Sequence, residues 1–299
     1  MTGSDLAAAA TAGMRRGERP RLGGRLFSLA MYFAVGLALI SLAALIGQTV
    51  VKGSPSLSIE FLTSYPSRIN PESSGVQSAL VGTLLLIVLT AAFVVPVGVA
   101  TALYLEEYAD RTKWWNRMIE VNIQNLAAVP SVVYGILGLA FIVRGPLSLG
   151  PVLLAGGLTL GLLVLPVVII VSREAIRAVP PSIRDGALAL GATKWQTISK
   201  QVLPGARAGI VTGLVLSLSR AVGETAPLLV IGAASSPRFD PSGLNDAFTA
   251  LPIQIFTWTQ DPNPAFVDKA ATASIVLLAI LAVMNGIAIF VRNRYEQRW

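Results

Sequence analysis

The stretch at residues 145–172 reads GPLSLGPVLLAGGLTLGLLVLPVVIIVS and contains no charged side chain. A helix needs roughly 20 apolar residues to cross the hydrocarbon core of a bilayer, so this stretch predicts a membrane-spanning helix. A sixth candidate, residues 208–234, is long enough but contains Arg220 and Glu224. The sequence therefore predicts an all-α integral membrane protein with six transmembrane helices. The other charge-free stretches of sufficient length are residues 26–51, 75–105, 121–143 and 270–291.

The composition agrees with a chain embedded in a membrane. Of 299 residues, 54% are hydrophobic and 13% are charged, against roughly 25% charged in an average soluble domain. The sequence has no cysteine, which excludes disulfides, thiol nucleophiles and Cys-ligated metals. It also has no histidine, the commonest general base and metal ligand. We therefore expect no catalytic residues and no metal site.

The basic residues predict the orientation of the chain in the membrane. If the N-terminus is cytoplasmic, seventeen Lys and Arg lie in cytoplasmic segments and five lie outside. By the positive-inside rule, both termini are predicted to be cytoplasmic, and the net charge of +7 needs no nucleic acid to explain it. The third and fourth spans, with only Arg144 and a Gly-Pro turn between them, are expected to form a tight antiparallel hairpin. The predicted segments are a basic tail (1–25), a first helix (26–51), a core (75–291) with a cytoplasmic loop (172–207) and an external loop (235–269), and a C-terminus (292–299).

The cytoplasmic loop carries a pattern typical of a docking segment. Two short amphipathic helices joined at a glycine suit a groove on another protein; the alternative is a pair of helices resting on lipid headgroups. The expected features are an N-cap at Ser182, one apolar face made by Ile183, Ala187 and Leu190, a hinge at Gly191, a second N-cap at Thr193 and an end at Leu203-Pro204.

This loop resembles the coupling loop of ATP-binding-cassette (ABC) importer permeases. Their pattern is Glu-Ala-Ala, three residues, Gly, nine residues, Ile, any residue, and Leu-Pro. The spacing is kept here, while Asp185, Gly186 and Gln201 depart from the family identities. The resemblance implies the type I ABC importer permease architecture and coupling to an ATPase through residues 182–204. The residues to which it assigns coupling are Asp185, Gly186, Ala187, Gly191, Leu203 and Pro204.

A narrower resemblance lies in residues 208–234, the fifth span along the chain. Residues 219–229, SRAVGETAPLL, are similar to the Arg-Ala-x-Gly-Glu-Thr-Ala-Pro segment of phosphate-specific permeases of the PstA type. Residues 129–135 (VPSVVYG) and 251–256 (LPIQIF) also look like segments of that family, and the similarity covers about residues 76–290. It implies a multi-pass permease subunit of an ATP-driven phosphate importer in the bacterial inner membrane, which forms half of the translocation pathway and is not itself an enzyme.

The resemblance also implies the partners. They are a related PstC-type permease in a heterodimer, a PstB-type ATPase dimer and an external PstS-type phosphate-binding protein. The sequence has no Gly-x-x-x-x-Gly-Lys-[Ser/Thr] loop, so ATP and Mg are expected on the ATPase and no cofactor on this chain.

Arg220 and Glu224 are the candidate substrate-pathway residues. Their spacing of four predicts one helical face, and Gly223 between them is expected to admit a neighbouring backbone. An unpaired charge at the bilayer centre costs about 2.5–3.5 kcal/mol, so both side chains must face protein or water. In the functional interpretation the Arg220 guanidinium binds phosphate and Glu224 prevents binding that is too tight for release. The alternative is a structural ion pair.

Ser131 and Tyr134, which follow Pro130, are further candidates to line the pathway; the alternative for them is hydrogen bonding between helices. Two other functions stay open. A permease for another oxyanion or an organic solute fits the coupling loop but not the charged pair. A membrane scaffold that recruits a cytosolic partner through residues 172–207 leaves the charged fifth span unexplained.

Overall fold

The computed structural model describes residues 22–67, 69–110, 112–233 and 237–295. Most of the predicted basic tail, the end of the predicted fifth span at Ala234, and residues 296–299 of the C-terminus lie outside the described residues. The chain divides into two compact units, residues 1–49 and 50–299. The twelve α-helices within the described residues are α1 (Leu22–Gly53), α2 (Ile59–Thr63), α3 (Gln77–Leu103), α4 (Trp114–Ala127), α5 (Ser131–Leu137), α6 (Leu153–Arg177), α7 (Pro181–Ala189), α8 (Lys194–Thr197), α9 (Leu203–Val222), α10 (Ala226–Val230), α11 (Leu251–Thr259) and α12 (Pro264–Tyr295).

Three of these helices continue into π-helical turns. The turn Tyr104–Tyr108 follows α3, Gly138–Val143 follows α5, and Ile198–Val202 joins α8 to α9. Within the described ranges the β-type pairing is limited to one isolated bridge, between Val152 and Ala247. The prediction of an all-α chain is confirmed.

Five helical segments are long and apolar enough to cross a membrane: Gly24–Ser56, Gln77–Tyr108, Leu153–Arg177, Lys194–Val222 and Pro264–Arg294. The predicted third span is instead a broken pair, in which Trp114–Ala127 and Ser131–Val143 meet at 107°. The break falls at Pro130, which has no N–H to continue the helical ladder and pushes the preceding residue out of the helical conformation. Six spans result when the bent pair is counted as one.

The connection between the third and fourth spans is longer than the predicted Gly-Pro turn. Helix α6 begins at Leu153, and residues 144–152 form a loop rather than the start of the span. The N–H groups of Leu153 and Leu154 donate to the carbonyls of Asp246 and Leu244, both at 2.9 Å. The external segment therefore satisfies the first free donors of α6, which fixes its start. The carboxylate of Asp246 accepts bonds from Ser242, which hold its pKa below the usual range.

The boundaries on the opposite side also differ from prediction. Helix α6 runs past Ser172 to Arg177, and α9 begins within the predicted cytoplasmic loop. Leu203-Pro204 does not end a short helix, since Lys194–Val222 is continuous. The π-turn Ile198–Val202 ends two residues before Pro204. Its wider ladder relieves the clash that a proline ring makes with the turn before it.

Helix α6 forms the centre of the bundle, with α3 and α9 packed on either side. Gly157 and Gly161 on α6 face Leu89 and Phe93, whose side chains occupy the space that a Cβ would fill. The Thr90 hydroxyl donates to the Gly157 carbonyl at 3.3 Å. This close packing makes α3 and α6 a rigid support for the residues at their ends.

A second cluster of buried apolar residues forms around α11 and α12. Phe61, Trp258 and Phe266 have ring centroids 6.3 Å apart along the series. The Thr272 hydroxyl donates to the Gly53 carbonyl at 2.9 Å. Lys269, predicted to lie in the external loop, belongs to α12, and its ammonium lies 5.2 Å from the Phe61 ring.

Candidate functional site: a broken-helix recess and a docking segment

The predicted charged pair lies at a helix break rather than on one continuous helical face. Helix α9 ends at Val222, and Gly223 caps it; the N–H groups of Gly223 and Glu224 donate to the carbonyls of Arg220 and Ala221 at 3.1 Å. Pro227 has no backbone N–H, so it cannot continue the helical hydrogen-bond pattern of α9. The ion pair nevertheless forms, with Arg220 Nε 3.6 Å from Glu224 Oε1.

The two charged groups differ in exposure. The Arg220 side chain is 64% exposed on the surface of this chain, and that of Glu224 is 19% exposed. Because an exposed guanidinium cannot face hydrocarbon without a large penalty, this surface must meet water or another protein. A pair buried within the chain would need no such neighbour.

Three of the four predicted pathway residues line one recess. It is small, with a cavity volume of about 20 Å³, and its lining includes Ser131, Tyr134 and Arg220. Its other walls are the end of α4, the middle of α6, and Ser217 on α9. Glu224 does not line this recess and contacts it only through Arg220.

The Tyr134 hydroxyl spans the break in the third segment. It donates to the Leu126 carbonyl at 2.8 Å, across the bend at Pro130, and the side chain is buried. This bond satisfies a carbonyl at the end of α4, so Tyr134 fixes the shape of the recess.

The two helix breaks pack against each other. A Cβ on Gly135 would lie 2.7 Å from the Pro227 Cα and 3.0 Å from the Val230 Cβ. Gly135 therefore allows α5 and α10 to approach at backbone distance. Within the described residues no such approach is seen at Gly223, where a Cβ would meet only the Arg220 carbonyl, at 3.7 Å.

The docking segment consists of α7 and α8 with a glycine between them. Gly191 has φ of +84°, in the left-handed region, and the predicted hinge conformation is confirmed. Thr193 caps α8 as predicted, in a capping box with Gln196. Ser182 is not the cap of α7; Pro180 precedes the helix and Pro181 begins it.

The docking segment exposes apolar side chains. Leu190 is 90% exposed and follows the end of α7, so it does not share the half-buried face of Ile183 and Ala187. Leu188 and Trp195 are also exposed. Asp185 and Gly186 lie on the exposed side of α7.

An ion-pair network that sequence reasoning missed holds this segment to the bundle. Arg184 on α7 donates through Nε and Nη2 to Glu107 Oε1, at 3.1 and 2.9 Å, and to the carbonyls of Val179 and Ile176. Lys194 places its ammonium 4.8 Å from the Tyr108 ring. Both partners belong to the π-turn after α3, so α7 and α8 share one anchor.

The network extends along α6. Arg173 contacts Glu120 at 2.9 Å and Glu106 at 3.5 Å, and Arg177 contacts Glu106 at 3.1 Å. In the sequence, the two adjacent carboxylates Glu106 and Glu107 at the end of the apolar run 75–105 could have indicated ion pairs. Nothing near them in the sequence indicates which arginines are their partners. A separate contact lies in the loop between the π-turn Tyr104–Tyr108 and α4. There the Thr112 hydroxyl donates to the Asp110 carboxylate, and this hydrogen bond lowers the pKa of Asp110.

Comparisons with known proteins show the family to which the chain belongs. The family described as binding-protein-dependent transport system inner membrane component matches residues 94–299. The chain is 37% identical over 221 residues to phosphate transport system permease protein PstA 1 of Mycobacterium tuberculosis. This alignment covers 74% of this chain and 71% of that protein. It is 33% identical over 271 residues to phosphate transport system permease protein PstA of Mycobacterium leprae, covering 89% and 88%.

The fold also has a counterpart among solved structures. A chain of a bacterial alginate ABC transporter, solved in complex with an alginate pentasaccharide-bound periplasmic protein, aligns with a TM-score of 0.65. The alignment covers 90% of this chain and 94% of that chain at 17% identity, so the likeness concerns the fold alone.

Proposed function

Because the chain belongs to the family of binding-protein-dependent transport system inner membrane components, we propose that it is the permease subunit of an ATP-driven phosphate importer. It is a multi-pass inner-membrane protein and a transport subunit rather than an enzyme. Its role is to form half of the translocation pathway. The phosphate assignment is supported by relatives that carry the name of phosphate transport permeases.

The observation that carries the proposal is the exposed Arg220 beside a recess within apolar helices. Phosphate is anionic at neutral pH, and a low-dielectric passage without a cation excludes it. A guanidinium presents several N–H donors in a plane, which suits phosphate oxygens. Arg220 therefore supplies the binding charge for the anion.

Glu224 tunes that charge. At 3.6 Å it competes with phosphate for the Arg220 guanidinium, so the anion is bound weakly enough to leave. Ser131 adds a hydroxyl to the same recess, while the hydroxyl of Tyr134 is already donated to Leu126. We infer that the Ser131 hydroxyl faces the pathway and that Tyr134 holds the pathway wall in shape through its hydrogen bond to Leu126.

The exposed surface of Arg220 faces a second permease. An exposed charge in the membrane region needs a polar neighbour, and a related PstC-type chain in a heterodimer supplies the other half of the pathway. Family membership implies an ATPase and a substrate-binding protein as further partners. We propose that these are a PstB-type ATPase dimer and an external PstS-type phosphate-binding protein.

The docking segment couples the permease to the ATPase. Leu188, Leu190 and Trp195 are the apolar contacts on its exposed side, and Asp185 adds a charge. Gly191 sets the angle between α7 and α8. When the ATPase moves these two helices, the movement passes through Leu203-Pro204 into α9, because the helix is continuous there. ATP and Mg bind to the ATPase, and this chain binds neither.

The experiment is transport by the purified complex in liposomes. With ATP and the phosphate-binding protein present, we expect labelled phosphate to accumulate and labelled sulfate to stay at the level of ATP-free vesicles. Accumulation of sulfate at the same rate would replace the phosphate assignment with a broader oxyanion permease. Loss of accumulation when the ATPase is omitted is the control for coupling.

A further inference from the structure

A second recess opens at the end of the bundle that carries α7. It lies between the π-turn after α3, the start of α4 and the end of α6, and has a volume of about 640 Å³ including its mouth. It shares no lining residue with the recess around Arg220. The residues that line it are Leu105, Ala109, Asn116, Arg117, Glu120 and Arg173.

Two polar side chains in its wall are buried and incompletely bonded. Asn116 is 6% exposed and Arg173 is 7% exposed. Within the described part of the chain, Asn116 Oδ1 and Arg173 Nε have no hydrogen-bond partner. Their other groups are engaged, since Asn116 Nδ2 donates to the Asp110 carbonyl and Arg173 Nη2 to Glu120, both at 2.9 Å. Such unsatisfied groups are costly, so they point to a guest that brings both an acceptor and a donor.

The charges of the wall specify the guest further. Arg117 and Arg173 are positive and Glu120 is negative; Glu106, which does not line the recess, adds a second carboxylate 3.5 Å from Arg173. A simple anion would be attracted by the two guanidinium groups but repelled by the Glu120 carboxylate. A zwitterion places its negative group near the arginines and its positive group near Glu120 and Asn116 Oδ1.

The residues next to the recess along the chain have the character of a membrane interface. Trp114 and Trp115 at the start of α4 are exposed, and Lys113 lies 5.3 Å from the Trp115 ring. Met118 on the next turn is exposed as well. Tryptophan and basic residues are typical of the headgroup region. A guest that enters from this side is therefore a lipid.

We propose that this recess binds the headgroup of an aminophospholipid, with phosphatidylethanolamine as the simplest example. The phosphate accepts hydrogen bonds from Arg173 Nε and Arg117. The ammonium donates to Asn116 Oδ1 and to the Glu120 carboxylate. Phosphatidylcholine has no N–H to donate, and phosphatidylglycerol adds a net negative charge beside Glu120. Both are therefore weaker ligands.

The first test leaves the protein unaltered. The full chain is purified, delipidated and titrated in native mass spectrometry with phosphatidylethanolamine, its N-methyl and N,N-dimethyl forms, phosphatidylcholine and phosphatidylglycerol, all with the same acyl chains. We expect at least about tenfold weaker binding when the last N–H is lost, because a charged donor can no longer reach Asn116. Equal binding of phosphatidylcholine, or tighter binding of phosphatidylglycerol, would overturn the proposal.

The second test compares two asparagines of α4. Asn122 is exposed and donates to the Met118 carbonyl at 2.8 Å, so Asn122→Ala is the matched control. Asn116→Ala is expected to reduce the preference for phosphatidylethanolamine to within about twofold, while Asn122→Ala retains it. A preference that survives in Asn116→Ala contradicts the assignment. So does displacement of the lipid by an equal concentration of soluble phosphoethanolamine, since that result would identify a free metabolite as the guest. If Asn116→Ala does not fold, the lipid series on the unaltered chain decides.

Discussion

The guanidinium of Arg184 binds the carboxylate of Glu107 through two N–H groups, at 3.1 and 2.9 Å, although the two residues are 77 positions apart. The same guanidinium donates to the carbonyls of Ile176, at the end of α6, and Val179, just beyond it. Arg184 thus joins the docking segment to the π-turn after α3 and to α6, and α6 lines the recess around Arg220. We therefore expect a displacement of α7 to reach the recess through α6.

Arg184→Gln is expected to weaken this connection. It leaves the largely buried Glu107 carboxylate without its cation, and breaking such a pair costs about 3–5 kcal/mol. We expect phosphate uptake by the reconstituted complex to fall at least about tenfold, with faster amide hydrogen exchange in α7. Arg177→Gln is the matched control, because Arg177 is more exposed and anchors no part of α7. Equal uptake by Arg184→Gln and the unaltered chain would show that this contact does not carry the coupling.

Gly191→Val tests the hinge. A side chain at φ of +84° costs roughly 1–2 kcal/mol for an ordinary residue and more for a β-branched one. The expected result is normal insertion with ATP hydrolysis that no longer drives uptake. Gly186→Ala is the control, since a Cβ at either glycine meets no atom within 4 Å and only Gly191 has positive φ. Gly191→Val that transports phosphate normally would remove the hinge from the account.

Gly135→Val tests the contact between the two helix breaks. The added side chain would collide with the backbone at Pro227, so α10 must move away from α5. We expect overpacking of about 1–3 kcal/mol, less folded protein and lower uptake per folded complex. Gly286→Val on α12 has no atom within 4 Å of its Cβ and should leave uptake per folded complex unchanged. The two variants are compared by size-exclusion yield and by uptake.

The orientation is tested by labelling, since the chain has no cysteine of its own. A cysteine at Ser242 should react with a membrane-impermeant maleimide added to intact cells. A cysteine at Gly186 should react only after the membrane is opened. Labelling of the Gly186 position from outside would invert the topology and separate the docking segment from a cytoplasmic ATPase.

The sequence predicted the spans where charge is absent and failed where charge is paired. The runs around α3 and α6 were identified because they contain no charged residue, but α6 was predicted to end at Ser172. Arg173 and Arg177 extend it, since Glu106 and Glu120 neutralise them. Those partners are 53 to 71 residues away, and no local pattern indicates such a contact.

The candidate site was predicted in its residues but not in its shape. Arg220, Ser131 and Tyr134 do line one recess. Val129 and Ser131, on either side of the break at Pro130, both line it, whereas a continuous span was expected there. A proline within an apolar run is compatible with a kink or with a sharp break. The bend of 107° depends on tertiary contacts such as the hydrogen bond from Tyr134 to Leu126.

The most direct test of the phosphate pathway is uptake per folded complex in three variants: Arg220→Gln, Glu224→Gln, and the double variant Arg220→Met with Glu224→Leu. We expect Arg220→Gln and the double variant to lose at least about 90% of uptake, because no cation remains to bind the anion. Glu224→Gln is also impaired, since an uncompensated Arg220 retains phosphate. A purely structural pair would give low amounts of folded protein in the single variants and recovery in the double one. Phosphate uptake at the unaltered rate by the folded double variant would contradict the proposal that Arg220 binds phosphate in the pathway and that Glu224 weakens this binding.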